Sequence, residues 1–216
     1  LADDMRLAAA VRVTSIVVWQ EKSPEAPRPL SQSKLNAANH ALCLAISPDG
    51  KRVAVAASER IGMGVNSRVN IIDIAAGTTT RLTGDTVSDR PEWSPDGTRV
   101  IFRRFYDDRR EELWWQPYDR SGPPEPLQTG AGSQRLIAEG MVSPDGASLI
   151  YRTVADTTGR DIWYRALRGD TTPKPFEVTP ADETMPRFSP DGRSIAAAGP
   201  DRCPSQWTRT YLAGPR

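Results

Sequence analysis

Trp93-Ser94-Pro95-Asp96-Gly97-Thr98-Arg99-Val100-Ile101-Phe102 reads as the apolar end of one strand, a tight turn, and a second strand that is apolar without alternation. The turn chemistry is local. A Ser hydroxyl bonds backbone two residues on, Pro presets φ, Asp tolerates the bridge region, and Gly accepts positive φ. The same tetrapeptide recurs as Ser47-Pro48-Asp49-Gly50, Ser143-Pro144-Asp145-Gly146 and Ser189-Pro190-Asp191-Gly192, at intervals of 47, 49 and 46 residues between the serines. A repeat of this period points to stacked supersecondary units.

Register supports the repeat. The residue before each Ser is large and apolar, namely Ile46, Trp93, Val142 and Phe188. The strands leaving the turns carry Val53-Ala54-Val55, Val100-Ile101-Phe102, Leu149-Ile150-Tyr151 and Ile195-Ala196-Ala197. Apolar residues on both sides of a strand imply burial of both faces, as in sheets stacked face to face. A third strand is predicted over residues 68–74, 112–118 and 161–167, and a fourth around Leu82, Leu127 and Val178.

Four antiparallel strands per repeat is the pattern of a propeller blade. The expected fold is therefore all-β: a β-propeller with about three complete blades and two half blades. The expected divisions are a partial blade of outer strands with a linker over 1–41, and blades over 42–84, 85–129 and 130–180. A partial blade of inner strands follows over 181–198, then an irregular tail over 199–216. Residues 15–20 and 28–32 read as the third and fourth strands of the first partial blade, and 185–188 and 193–198 as the first and second strands of the last. The halves either join into a small four-bladed ring or belong to a larger propeller. The tail, with Pro200, Pro204 and Pro215, fits neither missing strand and favours the larger ring.

Composition narrows the partners. Lys and Arg number 28 against 27 Asp and Glu, a formal net charge of +1, so no overall field holds nucleic acid or an anionic membrane. The apolar runs, such as 7–11 and 16–19, fall far short of a bilayer span. Cys43 and Cys203 form no metal-ligand spacing and no disulfide framework, and Cys43 is expected to be buried.

Catalytic signatures are also missing from the sequence. Gly130-Ala-Gly-Ser133 has the wrong spacing for a nucleophile elbow, and His40, the one histidine, sits in a polar stretch before the first complete blade. Gly62-Met-Gly64 reads as part of a loop over 60–66 between strands rather than a phosphate cradle. Asp49, Asp96, Asp145 and Asp191 fall on four different blades and read as turn holders rather than an acid–base pair. The run Asp107-Asp-Arg-Arg-Glu-Glu112 reads as a solvated hairpin tip. Trp114 and Trp115 alternate on a strand, one expected against the neighbouring blade and the other partly exposed as a contact for a peptide partner.

Trp93-Ser-Pro-Asp-Gly-Thr-Arg-Val-Ile-Phe102, Phe188-Ser-Pro-Asp-Gly-Arg-Ser-Ile195, Asp161-Ile-Trp-Tyr and Arg81-Leu-Thr83 resemble the WD-repeat-like blades of TolB-like propellers. The resemblance covers about residues 42–198. It implies a module that binds, gates or scaffolds, as in the periplasmic Tol-Pal translocation component, the sensor regions of bacterial receptor-like Ser/Thr kinases, and the propellers of prolyl-oligopeptidase-like enzymes. It further implies a protein or peptide partner, an extracytoplasmic location and no cofactor. Ala198-Gly-Pro-Asp departs from the blade pattern where a third strand should begin.

Overall fold

The computed structural model describes the backbone of residues 7–12, 15–20, 29–34, 40–61, 64–84, 86–130, 136–155, 159–177, 184–198 and 208–211. Side chains are described within 43–58, 66–84, 86–130, 136–154, 159–176 and 186–197. Among these residues there is no helix.

Each Ser-Pro-Asp-Gly builds the same turn. The Ser hydroxyls of Ser47, Ser94, Ser143 and Ser189 donate to their Asp Oδ1 at 2.6, 2.6, 2.5 and 2.5 Å. Each hydroxyl also accepts the backbone N–H five residues on, from Arg52, Arg99, Ser148 and Ser194, at 2.9 Å. The same Asp oxygens accept the N–H groups of Lys51, Thr98, Ala147 and Arg193 at 3.0 to 3.1 Å. The Gly N–H closes onto the Ser carbonyl at 2.8 or 2.9 Å. Glycine is required at the fourth position because φ there is 68° to 71°. Ser94→Ala leaves the Arg99 N–H without its acceptor and is expected to cost about 1–3 kcal/mol in urea unfolding. An unchanged midpoint would show that the hydroxyl is dispensable.

Three four-stranded antiparallel sheets follow from these turns. The first runs β4 (His40–Ile46), β5 (Arg52–Ile61), β6 (Gly64–Asp73), β7 (Thr79–Arg81). The second comprises β8 (Ser88–Trp93), β9 (Arg99–Phe105), β10 (Glu111–Pro117) and β11 (Glu125–Gln128), and the third β12 (Leu136–Val142), β13 (Ser148–Ala155), β14 (Gly159–Ala166) and β15 (Lys174–Glu177). One parallel bridge, Glu111 to Leu136, ties the second sheet to the third. The blade pattern is as expected.

The unalternating strands pack between sheets. Ala54, Val69, Ile71 and Leu82 of the first blade meet Trp93, Val100 and Phe102 of the second. Ile101, Leu113 and Leu127 meet Ile137, Val142, Leu149 and Tyr151 of the third. Ile150 and Ile162 meet Ile195 and Ala197 beyond it. Val100, Ile101 and Phe102 are at most 1% exposed, so consecutive residues of β9 are buried on opposite sides by different neighbours. Gly140 is needed for this closeness, since a Cβ there would clash with Leu113 Cδ1 and lie 3.1 Å from the Ile150 carbonyl oxygen.

The structure corrects the ends and one loop. The first partial sheet contains β2 (Ser15–Gln20) and β3 (Pro29–Lys34) and also β1 (Leu7–Arg12), paired to β2 from Leu7↔Gln20 to Arg12↔Ser15. The last contains β16 (Thr184–Phe188), β17 (Ser194–Ala198) and also β18 (Thr208–Tyr211), paired along Ser194–Ala197. Both partial sheets therefore have three strands, and the tail 199–216 is not irregular throughout. The prolines that argued against a strand there, Pro200, Pro204 and Pro215, lie outside the Thr- and Tyr-bearing segment that pairs. Within the expected 60–66 loop, residues 60–61 and 64–66 are strand, since the ladder continues to Ile61↔Gly64; Gly62 and Met63 lie outside the described residues. His40 opens β4 rather than lying in a linker, its backbone opposite Ser58. The fourth strands end at Arg81 and Glu177, before Leu82 and Val178. Leu82 still donates its N–H to the Val69 carbonyl at 2.9 Å, and Val178 lies outside the described residues.

Candidate functional site

Antiparallel pairing sends the Ser-Pro-Asp-Gly turns and the connections from third to fourth strands to one end of the blades. The hairpins between second and third strands lie at the other. The first end is the turn face. Its turns touch across blades: Pro48 Cδ lies 3.6 Å from where a Gly97 Cβ would stand, and Pro144 Cδ lies 3.3 Å from that of Gly192.

A groove of about 1420 Å³ opens on this face. Its floor and walls include Trp115, Val142, Leu167 and Phe188, with Pro95 and Pro144 from two turns. Polar lining comes from Arg99, Glu125, Arg168 and Arg193, and from the turn carboxylates Asp96, Asp145 and Asp191. The Arg99 guanidinium lies over the Trp115 ring, 4.5 Å from its centroid, while its Nη1 donates to Glu125 Oε2 at 2.9 Å. The aromatic face is thereby fixed by a cation–π contact and an ion pair. Arg168 and Arg193 form no ion pair among the described residues.

The turn carboxylates keep their charge. Hydroxyl donation from Ser94, Ser143 and Ser189 holds Asp96, Asp145 and Asp191 below the usual carboxylate range. At Asp49 burial pushes upward, but the Ser47 hydroxyl, the Lys51 N–H and the Arg52 charge outweigh it.

The two sequence-expected tryptophans part company. Trp115 enters the groove between the second and third blades, whereas Trp114 packs toward the first blade. Both are half-buried. Trp114 is held by its own Nε1 donating to Glu112 Oε2 at 3.0 Å and by the Arg104 guanidinium 4.2 Å over its ring. The expected hairpin tip is solvated at Asp107 to Arg110, but Glu112 is buried.

A second constellation escaped the sequence reading. On the inner strands, Arg90 Nη1 donates to Glu139 Oε2 at 3.0 Å, and Arg152 Nε reaches Glu139 Oε1 at 2.9 Å. Arg187 Nη2 meets Glu92 Oε1 at 3.0 Å, linking the second blade to the last partial sheet. Arg103 forks onto Asp89 through Nε and Nη2, both at 2.8 Å, and reaches Glu111 through Nη1 at 2.9 Å. Burial raises the Glu92 carboxyl; the Arg187 charge opposes this and the nearby Glu139 adds to it.

Arg90 holds φ at 49°, unusual for a residue with a side chain, and its N–H donates to Cys43 Sγ at 3.2 Å. Half-buried Cys43 is raised by burial. The available signal was positional. Arg90 and Glu139 stand four residues before a motif serine, and Glu92 and Arg187 two before one, where the first repeat has Cys43 and Ala45.

No family model matches the chain, and no curated protein matches it in sequence. Solved structures do. The chain is similar to a protein assigned as TolB from Agrobacterium tumefaciens, with TM-score 0.69 and 19% identity over 92% of this chain and 72% of that one. It is similar to TolB from Acinetobacter baumannii, with TM-score 0.66 and 18% identity over 96% of this chain and 49% of that one. A prolyl endopeptidase structure matches with TM-score 0.61 and 13% identity, over 96% of this chain and 36% of that one. These likenesses show the fold: a TolB-like, WD-like β-propeller.

Proposed function

We propose that this chain is a non-catalytic binding module that docks an extended segment of a protein partner in the turn-face groove. The observation that carries the reading is Trp115, an aromatic anchor fixed by Arg99 inside a groove to which three successive Ser-Pro-Asp-Gly turns contribute. Interfaces concentrate their energy in a few such aromatic and arginine side chains. Propeller loops vary without disturbing the stacked sheets, which suits a recognition surface. The TolB likenesses support a partner-binding role.

The test is selection of displayed peptides on the 216-residue chain, followed by fluorescence anisotropy of the winners. Trp115→Ala is expected to weaken them by about tenfold or more, with the thermal midpoint monitored in parallel. Winners indifferent to Trp115→Ala would overturn the groove assignment. A second reading, the propeller portion of an enzyme, is favoured by the likeness to a prolyl endopeptidase, of which this chain spans 36%. A longer reading frame distinguishes the two. A Gly-x-Ser-x-Gly segment downstream supports the peptidase, and an Asp-Phe-Gly region upstream supports a receptor kinase.

A further inference from the structure

We propose that the ion-paired cluster on the inner strands is a carboxylate-binding site, in which Arg90 and Arg187 each offer a guanidinium to the acidic side chains or terminal carboxylate of a partner peptide. The site is separate from the groove and does not depend on it.

The cluster presents its two signs of charge unequally to solvent. The side chains of Arg90 and Arg187 are 41% and 46% exposed, while their partners Glu139 and Glu92 are 9% and 26% exposed. Arg152 and Arg103, at 8% and 12%, lie deeper with their acids. The formal charges balance, but their exposure does not. An approaching ligand meets guanidinium first and carboxylate beneath it.

Donor capacity points the same way. A guanidinium carries five N–H donors in a planar fork suited to carboxylate. Arg90 uses one, on Glu139. Arg187 uses two groups, Nη2 on Glu92 and Nη1 on the Pro186 carbonyl at 3.0 Å. The remaining N–H groups are oriented by the pairs with buried Glu139 and half-buried Glu92. This is preorganisation: the glutamates orient the forks.

The backbone supports the aim. Pairing of β8 with β9 shifts register between Asp89 and Glu92, and pairing of β16 with β17 shifts between Thr184 and Arg187. These irregularities re-aim side chains at an edge, and the left-handed φ of Arg90 persists because the surroundings over-determine it. Within their own blades Arg152 pairs with Glu139, and Arg103 with Asp89 and Glu111, so Arg90 and Arg187 are the guanidinium groups of the cluster that cross between blades and still face solvent.

The probe is a fluorescein-labelled hexaglutamate peptide, titrated into the full chain by anisotropy at low ionic strength. Binding is expected, weakening as NaCl rises. Arg90→Gln and Arg187→Gln are each expected to weaken it by about tenfold, with Arg187→Lys recovering part of the loss because charge remains but the fork does not. Binding by both glutamine variants equal to the parent would overturn the site, as would tighter competition by inorganic phosphate than by unlabelled hexaglutamate, or preference for hexalysine. Should a variant fail to fold, co-crystals of the unaltered chain with hexaglutamate decide the matter. Carboxylates seated on Arg90 or Arg187 support the proposal, and a peptide seated elsewhere or absent overturns it.

Discussion

Phe102→Ala is expected to lower the unfolding free energy by about 3–5 kcal/mol, measured by urea denaturation, with the denaturant slope unchanged. Phe102 is 1% exposed on β9 and fills the interface between the first two blades, among Val69, Leu82, Trp93 and Val100. Truncation removes the transfer free energy of the ring and leaves a cavity that two stacked sheets cannot close, because each is already fixed by its own ladder and turns. In a repeat architecture an interface term couples neighbours, so the loss falls on both blades rather than on one. A cost below about 1 kcal/mol would mean that the first two blades do not stack through β9.

Glu139→Leu is the second large effect, expected at about 3–5 kcal/mol, because it strands a buried guanidinium. Arg152, with 8% of its side chain exposed, cannot recover its hydration, whereas Arg90, at 41%, largely can. The double variant Glu139→Leu with Arg152→Met should restore much of the loss, since an apolar pair of similar volume avoids the desolvation cost of ions. If it remains as unstable as the single variant, charge is not what Glu139 contributes. Cyclic comparison of the single and double variants isolates the pairwise term.

The repeat was readable because each of its signals is local. Ser94, Asp96 and Gly97 close their turn through atoms within five residues, and Val100 to Phe102 announce burial on both faces without reference to any partner. The ends were harder. Thr208–Tyr211 pairs with Ser194–Ala197 across a stretch containing Pro200 and Pro204, and composition there pointed away from a strand that ladder pairing nonetheless forms. The tryptophans were located but not separated, since alternation assigns opposite sides without saying what covers each. Arg104 and Glu112 cover Trp114, and Arg99 and the groove meet Trp115.

From sequence alone followed the all-β blade pattern, the four identical turns and the both-faced burial of the second strands, since these depend on backbone preference and short-range bonds. Tertiary structure alone decided which charges meet. Arg90 finds Glu139 from the next blade, and Arg187 reaches Glu92 over 95 positions of chain. No periodicity encodes such a pair, because the partners are brought together by how blades stack around their inner strands, and an isolated Arg or Glu in a strand carries the same local signal whether it ends in solvent or in an ion pair.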